Sequence, residues 1–287
     1  MATETWYAAA RPSRHMDNSV AAGQRGGGAA TTASPQTWHL WIDESPRPGW
    51  TNMAIDQALL ERAERQGESW LRLYQWAPHC LSFGRHEPAS LRYDAQHISA
   101  RGIDTVRRPT GGRAVWHAHE LTYSVATPYS RFGTLNAAYL EIHQMLADAL
   151  QMLGVAVSLA DRRRTPPLDS GACFAHPVGG EIMLSGRKVV GSAQLRSGSA
   201  LLQHGSVLLQ DSQNVVRELM KDDPKPDPSP LRVEPWAEAG EVAEAITAVA
   251  TRRWQGEWEC GTDAAVVLEE ASIHYSHYSS AAWTWSR

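Results

Sequence analysis

Cysteine is scarce in this 287-residue chain, and the three present, Cys80, Cys173 and Cys260, are odd in number, far apart and without CxxC spacing. That pattern excludes a disulfide framework and offers no zinc motif, so each is read as a free thiol. Positive charge is not in excess either: a formal net charge of −4 gives no basic field for nucleic acid. No apolar run approaches the roughly 18 residues of a membrane span, so the expectation is a cytoplasmic protein with neither nucleic acid nor membrane as partner. Rossmann and Walker glycine signatures and internal repeats are also lacking. What is there is ordinary soluble composition, 43% apolar and 20% charged, enough for one large core.

Residues 1–36 are rich in Ala, Gly, Ser, Thr and Arg, with a Gly26-Gly27-Gly28 run and no apolar period. They cannot bury enough surface to offset ordering entropy and are expected to form a disordered tail. Glu4 and Asp17 interrupt any transit-peptide reading. One domain is expected over 37–287, closing with a short helical segment.

In WHLWI, Trp38, Leu40 and Ile42 alternate onto one strand face. Thr51 reads as the N-cap of a helix running to about Glu64, with Asp56 favouring its positive end. Leu71 and Leu73, then Leu81 and Phe83, mark two short strands, and the stretch from Val106 to Thr127 gives further strands around Pro109-Thr110-Gly111-Gly112. Apolar positions from Leu135 to Leu153 recur at helical spacing and stop at Gly154. Hairpins are expected at Ser185-Gly186 and Ser197-Gly198, helices near 215–220 and 241–254, and an aromatic end that packs back. The sheet is therefore mixed or antiparallel in its second half.

Two stretches carry chemistry. The first, RRPTGGRAVWHAHELTYSV, pairs glycines that let backbone N–H groups approach a ligand with the fixed charges of Arg107, Arg108 and Arg113. Ion pairing with acidic residues is the plainer reading of Arg107 and Arg108. His117 and His119, in strand-like sequence, would share a face, but no third ligand clusters with them and no metal is expected. The second stretch runs from Gly171 to Leu209. A free cysteine is usually a small core residue, yet Cys173 sits in SGACFAHPVGG, a loop and not an element core, whereas Cys80 reads as strand core and Cys260 as surface or C-terminal packing. Lys188, in SGRKVVGSAQ, would be partly desolvated and able to clamp a carbonyl. A thiol, a cation and buried donors are what acyl transfer through a thioester requires.

These motifs, with TNMAIDQALL, LRLYQW, LQHGSVLL and the HY-x-S-x4-W ending, resemble the lipoate-protein ligase and octanoyltransferase family, which shares its catalytic fold with biotin ligases. The resemblance implies an α+β domain with a mixed, largely antiparallel sheet flanked by helices and a tunnel for an eight-carbon acyl chain. It places Arg108, Thr110, Gly111, Gly112, Arg113, Gly191, Ser192, Ala193 and Gln194 along that tunnel, with His117, His204 and Gly205 as further substrate-binding positions, and maps the family lysine to Lys188. The family commonly has His-Asp where this chain has His117-Ala118, so that aspartate's role is absent or taken over by Glu120.

ATP-dependent ligases of the family form an adenylate and have no need of a cysteine in this loop; the Cys173-Phe174 pair resembles LipM-type octanoyltransferases instead. The resemblance implies Cys173 as nucleophile with Lys188 beside it, octanoyl-acyl carrier protein as donor, and a lipoyl domain or the glycine-cleavage H protein as acceptor. It implies no cofactor, with ATP needed only by a ligase. The amidotransferase branch, which also uses cysteine, stays open. A binding protein without catalysis would be expected to lose Cys173 or Lys188, and both are present.

Overall fold

Trp70 and Leu71 are neighbours in sequence and bury into two different hydrophobic clusters, so their strand lies in the middle of a sheet covered on both faces. The computed structural model of the chain describes residues 37–160, 180–210, 212–221, 236–261 and 264–287. Cys173, Phe174 and residues 1–36 lie outside the described residues.

In chain order the elements are β1 (Thr37–Ile42), α1 (Gly49–Gln66), β2 (Ser69–Tyr74), β3 (Cys80–Phe83), α2 (Ala89–Arg92), α3 (Ala95–Ala100), β4 (Asp104–Arg107), β5 (Val115–His117) and β6 (Glu120–Pro128). They continue with α4 (Leu135–Met152), β7 (Val157–Leu159), β8 (Ile182–Leu184), β9 (Arg187–Ser197), β10 (Ala200–Leu208), α5 (Asn214–Glu218), α6 (Ala239–Arg253), β11 (Glu257–Cys260), α7 (Ala264–Ser272), α8 (Tyr275–Tyr278) and α9 (Ala281–Thr284).

The main sheet has the order β11-β1-β2-β6-β10-β9-β8-β7. β1 pairs in parallel with β2 and β11, and every other pairing in this sheet is antiparallel. One face packs on α4 and α6 through Leu71, Tyr123, Ile142, Leu146 and Ile246. The opposite face packs on α1 and α7 through Trp70, Ile55, Leu59, Leu202 and Val267. A second sheet, β4-β3-β5, carries the ends of the Arg108–Gly112 loop. The α+β architecture implied by the sequence is the one observed.

Local rules account for most boundaries. Thr134 caps α4 by accepting from the Ala137 N–H at 3.0 Å, and Gly154 follows with φ +80°. Ser185 and Gly186, with φ of 50° and 78°, turn β8 into β9 as a two-residue hairpin with positive φ at both positions. Glu238 and Glu241 form a capping box at the start of α6.

Three expectations change. Ile42, the last residue of β1, is exposed, and Trp41 is buried on the opposite face because β1 has a helical layer on both sides. α1 begins at Gly49 after Pro48, so Thr51 lies inside the helix and Asp56 well beyond its first turn. His117 ends β5, whereas His119 occupies the following turn at φ 52° and is exposed, so the two do not share a strand face.

Candidate active site

Arg108 builds the glycine loop. Its guanidinium donates to the carbonyls of Ser82 (3.0 Å), Gly111 (3.2 Å) and Arg113 (2.8 Å) and to the Ser82 hydroxyl at 2.5 Å. Charge-assisted bonds of this kind hold backbone firmly. Gly112, at φ +92°, lies against Gly84, where a Cβ would collide with the Gly112 carbonyl oxygen. Arg107 is fully buried, and among the described residues no carboxylate is bonded to it. It donates to the carbonyls of Gly84, Arg85, Glu87, Trp283 and Thr284, and Trp283 Nε1 returns a bond to the Arg107 carbonyl. Arg107 thus serves backbone carbonyls where ion pairing is the plainer reading of the sequence.

A buried polar chain ties this loop to the main sheet. The Thr110 hydroxyl lies 2.6 Å from His204 Nε2, and His204 Nδ1 lies 2.8 Å from Asp56 Oδ2. Asp56 also accepts from Tyr74 (2.9 Å) and Arg72 (3.3 Å), and Arg72 reaches Asp43 at 2.7 Å and Asn52 at 2.8 Å. Arg72 projects from β2 to the same side as Trp70 and Tyr74, where it is fully buried. Its charge there requires these partners.

His117 is held between two strands. Its Nδ1 donates to Glu120 Oε1 at 2.7 Å, and its Nε2 lies 2.6 Å from the Ser82 hydroxyl. Trp76 stacks on the ring at 3.8 Å and donates to Thr122, which donates to Glu120. Burial lowers the His117 pKa, against the opposing charge and hydrogen bond of Glu120. Glu120 is thus the carboxylate bonded to His117, while Ala118 is buried in a different cluster.

Between these groups runs a narrow cavity, about 30 Å³ of it open to the centre of a water molecule. Met53, Tyr74, Trp76 and Val115 give it apolar walls; Gly112, Gly191, Ala193 and Gly205 leave room; Arg108, Ser192, His117 and His204 supply polar groups. A Cβ at Gly205 would overlap the Gly191 carbonyl oxygen and come 2.6 Å from the Ser192 hydroxyl. Gln194 is not among the lining residues: its amide donates to Gln203 (2.8 Å) and to the Leu135 carbonyl (2.9 Å).

Lys188, on the strand that carries Gly191 to Ala193, is buried with its ammonium 2.5 Å from Glu181. Asp56, Glu181 and His143 are buried polar residues whose contacts sequence reasoning misses. Asp56 passes for a helix-dipole residue, Glu181 for the start of a strand, and His143 for a polar residue beside an apolar stripe. Among the described residues no group of three or more His, Cys, Asp or Glu side chains could hold a metal ion, and none of the helices is long and apolar enough to cross a membrane.

Comparison with known proteins follows the same lines. The model of the lipoyl protein ligase A/B catalytic domain matches residues 48–244. Octanoyltransferase LipM of Carboxydothermus hydrogenoformans is 41% identical over 165 residues, covering 56% of this chain and 61% of that relative's length. A crystal structure of lipoate-protein ligase A bound with ATP superposes with a TM-score of 0.69 at 19% identity, over 88% of this chain and 98% of the other. The bipartite lipoate protein ligase of Thermoplasma acidophilum, solved in a study with its E2 lipoyl domain, gives 0.63 at 18% identity over 88% and 97%.

Proposed function

Because this chain belongs to the lipoyl protein ligase A/B catalytic-domain family, we propose that it is an octanoyltransferase. It moves an octanoyl group from acyl carrier protein to a lysine of a lipoyl domain or of the glycine-cleavage H protein. The likeness to octanoyltransferase LipM carries the choice of reaction. Buried Lys188, paired with Glu181 and carried by the strand that lines the apolar cavity, supports it with a fixed cation for an acyl carbonyl.

In this reading the Cys173 thiolate attacks the donor thioester carbonyl. The new S–C bond forms as the bond to the carrier sulfur breaks, and the carrier leaves as a thiol once it takes up the proton released by Cys173. The neutral ε-amine of the target lysine then attacks the enzyme thioester, forms the amide and returns the proton to Cys173. Thioester for thioester is an exchange of near-equals, and amide formation drives the second half. Lys188 offsets the oxyanion charge of both steps. Arg108, Thr110 and His204 keep the cavity wall in place and need no movement during the reaction.

Intact-protein mass after incubation with octanoyl-acyl carrier protein, without ATP, tests the reading. A hydroxylamine-labile gain of roughly 126 Da, an octanoyl group replacing hydrogen, is expected in the wild type and absent in Cys173→Ala. Labelling of a lipoyl domain from free acid only with ATP, indifferent to Cys173, would place the chain with the ligases instead.

A further inference from the structure

We propose that His143 is a positioning residue for Lys188, acting through the Gly180-Glu181 backbone. The inference rests on the acyl-transfer reading only for its kinetic consequence.

His143 is fully buried on α4, and neither the glycine loop nor the cavity lining includes it. Its Nδ1 lies 2.7 Å from the Gly180 carbonyl oxygen; since a carbonyl only accepts, Nδ1 carries the proton. Burial pushes the imidazole pKa down to about 4, opposed by the Gly180 bond and reinforced by the charge of Lys188, so the ring is neutral and Nε2 accepts. It accepts a hydrogen bond from the Ser192 hydroxyl at 2.8 Å. Ser192 in turn accepts from Tyr123 (2.6 Å), Tyr123 from Gln203 (2.9 Å), and Gln203 from Gln194 (2.8 Å). Every donor in this chain points towards Gly180.

The far end of the chain sets the Lys188 centre. Gly180 is followed by Glu181, the carboxylate on Lys188. Gly180 has φ +89°, and a Cβ there would come within 3.3 Å of Tyr139 and Leu140 of α4. Its N–H donates to Ala160, and the Ala160 N–H donates to the Glu181 carbonyl. The peptide that aims Glu181 is thus fastened to the end of β7 on one side and to His143 on the other. The same imidazole holds Ser192 in the cavity wall, so one side chain couples the position of the ammonium to the surface that an acyl chain would touch.

Reductive methylation with formaldehyde, read residue by residue by mass spectrometry, tests this on the full chain without reference to turnover. The chain has three lysines, and exposed Lys221 serves as the internal standard. The shorter amide of His143→Asn falls at the place of Nδ1 and can donate to Gly180, whereas the longer amide of His143→Gln falls at the place of Nε2, beside Ser192 and away from Gly180. Lys188 labelling relative to Lys221 is expected to stay near wild type in the Asn variant and to rise about tenfold in the Gln variant and in His143→Ala. Equal rates in all forms overturn the proposal. In octanoyl transfer, His143→Ala is expected to lower kcat about tenfold with KM nearly unchanged, and to add nothing in a Lys188→Met background. Multiplying losses in the double variant would make His143 merely structural and also overturn it. A wild type that transfers no octanoyl group yet shows the labelling pattern sinks the acyl-transfer reading alone.

Discussion

His204 and Thr110, ninety-four residues apart, meet at 2.6 Å, and through the second ring nitrogen of His204 this contact continues to Asp56 on α1. The glycine loop is therefore referenced to the main sheet and its helix as well as to its own flanking strands. The consequences can be measured.

Asp56→Ala removes the acceptor shared by Arg72, Tyr74 and His204. A fully buried guanidinium that loses one of its carboxylates costs about 3 kcal/mol or more. Urea unfolding should show that loss, with Asp56→Asn in between; an unchanged midpoint would contradict the network.

Gly205→Ala places a methyl group against the Gly191 carbonyl and Ser192. Overpacking of this kind costs about 1–3 kcal/mol. Because the same atoms border the cavity, the weakened variant should also lose octanoyl transfer at temperatures where it remains folded. Full activity in that variant would place acyl binding elsewhere.

Arg107→Ala removes the bonds joining Gly84–Glu87 to Trp283 and Thr284. Hydrogen bonds to a charged group contribute about 1.5–3 kcal/mol each before compensation. Hydrogen exchange should speed up selectively at 281–287 and in the glycine loop. Protection lost evenly over the whole chain would instead mean global destabilisation without a local tie.

Acid should weaken the fold before carboxylates titrate fully. His143 titrates near 6.5 when unfolded and at about 4 in the fold, so between these values the unfolded chain binds a proton that the folded chain refuses. Its contribution is complete above pH 6.5 and is lost as the pH falls towards 4, by up to roughly 3 kcal/mol. His117, lowered first by burial, acts in the same direction. The urea midpoint should fall from pH 7 to 4.5 in the wild type and fall less in His143→Asn. Identical slopes for the two proteins would refute the assignment.

Periodicity and turn chemistry are enough to mark many of the elements of this protein. Alternation over 70–74, the helical stripe after Thr134, Gly154 as a helix stop and the Ser185-Gly186 turn each rest on neighbours within a few residues, and local sterics decide them. The glycine loop, Lys188 and His204 are legible as well, because their residue types are unusual in the runs that contain them. Tertiary structure alone decides what each polar group is for. Asp56 looks like a helix-dipole acid and holds a strand histidine 148 residues away. Arg107 looks like an ion-pairing arginine and fastens the aromatic end. His143 looks like a solvated helix position and is buried on Ser192. The reason is physical: a polar side chain is stabilised by whatever partner shares its dry environment. That partner is set by the register and layering of strands far apart in the chain, on which the local pattern carries no information.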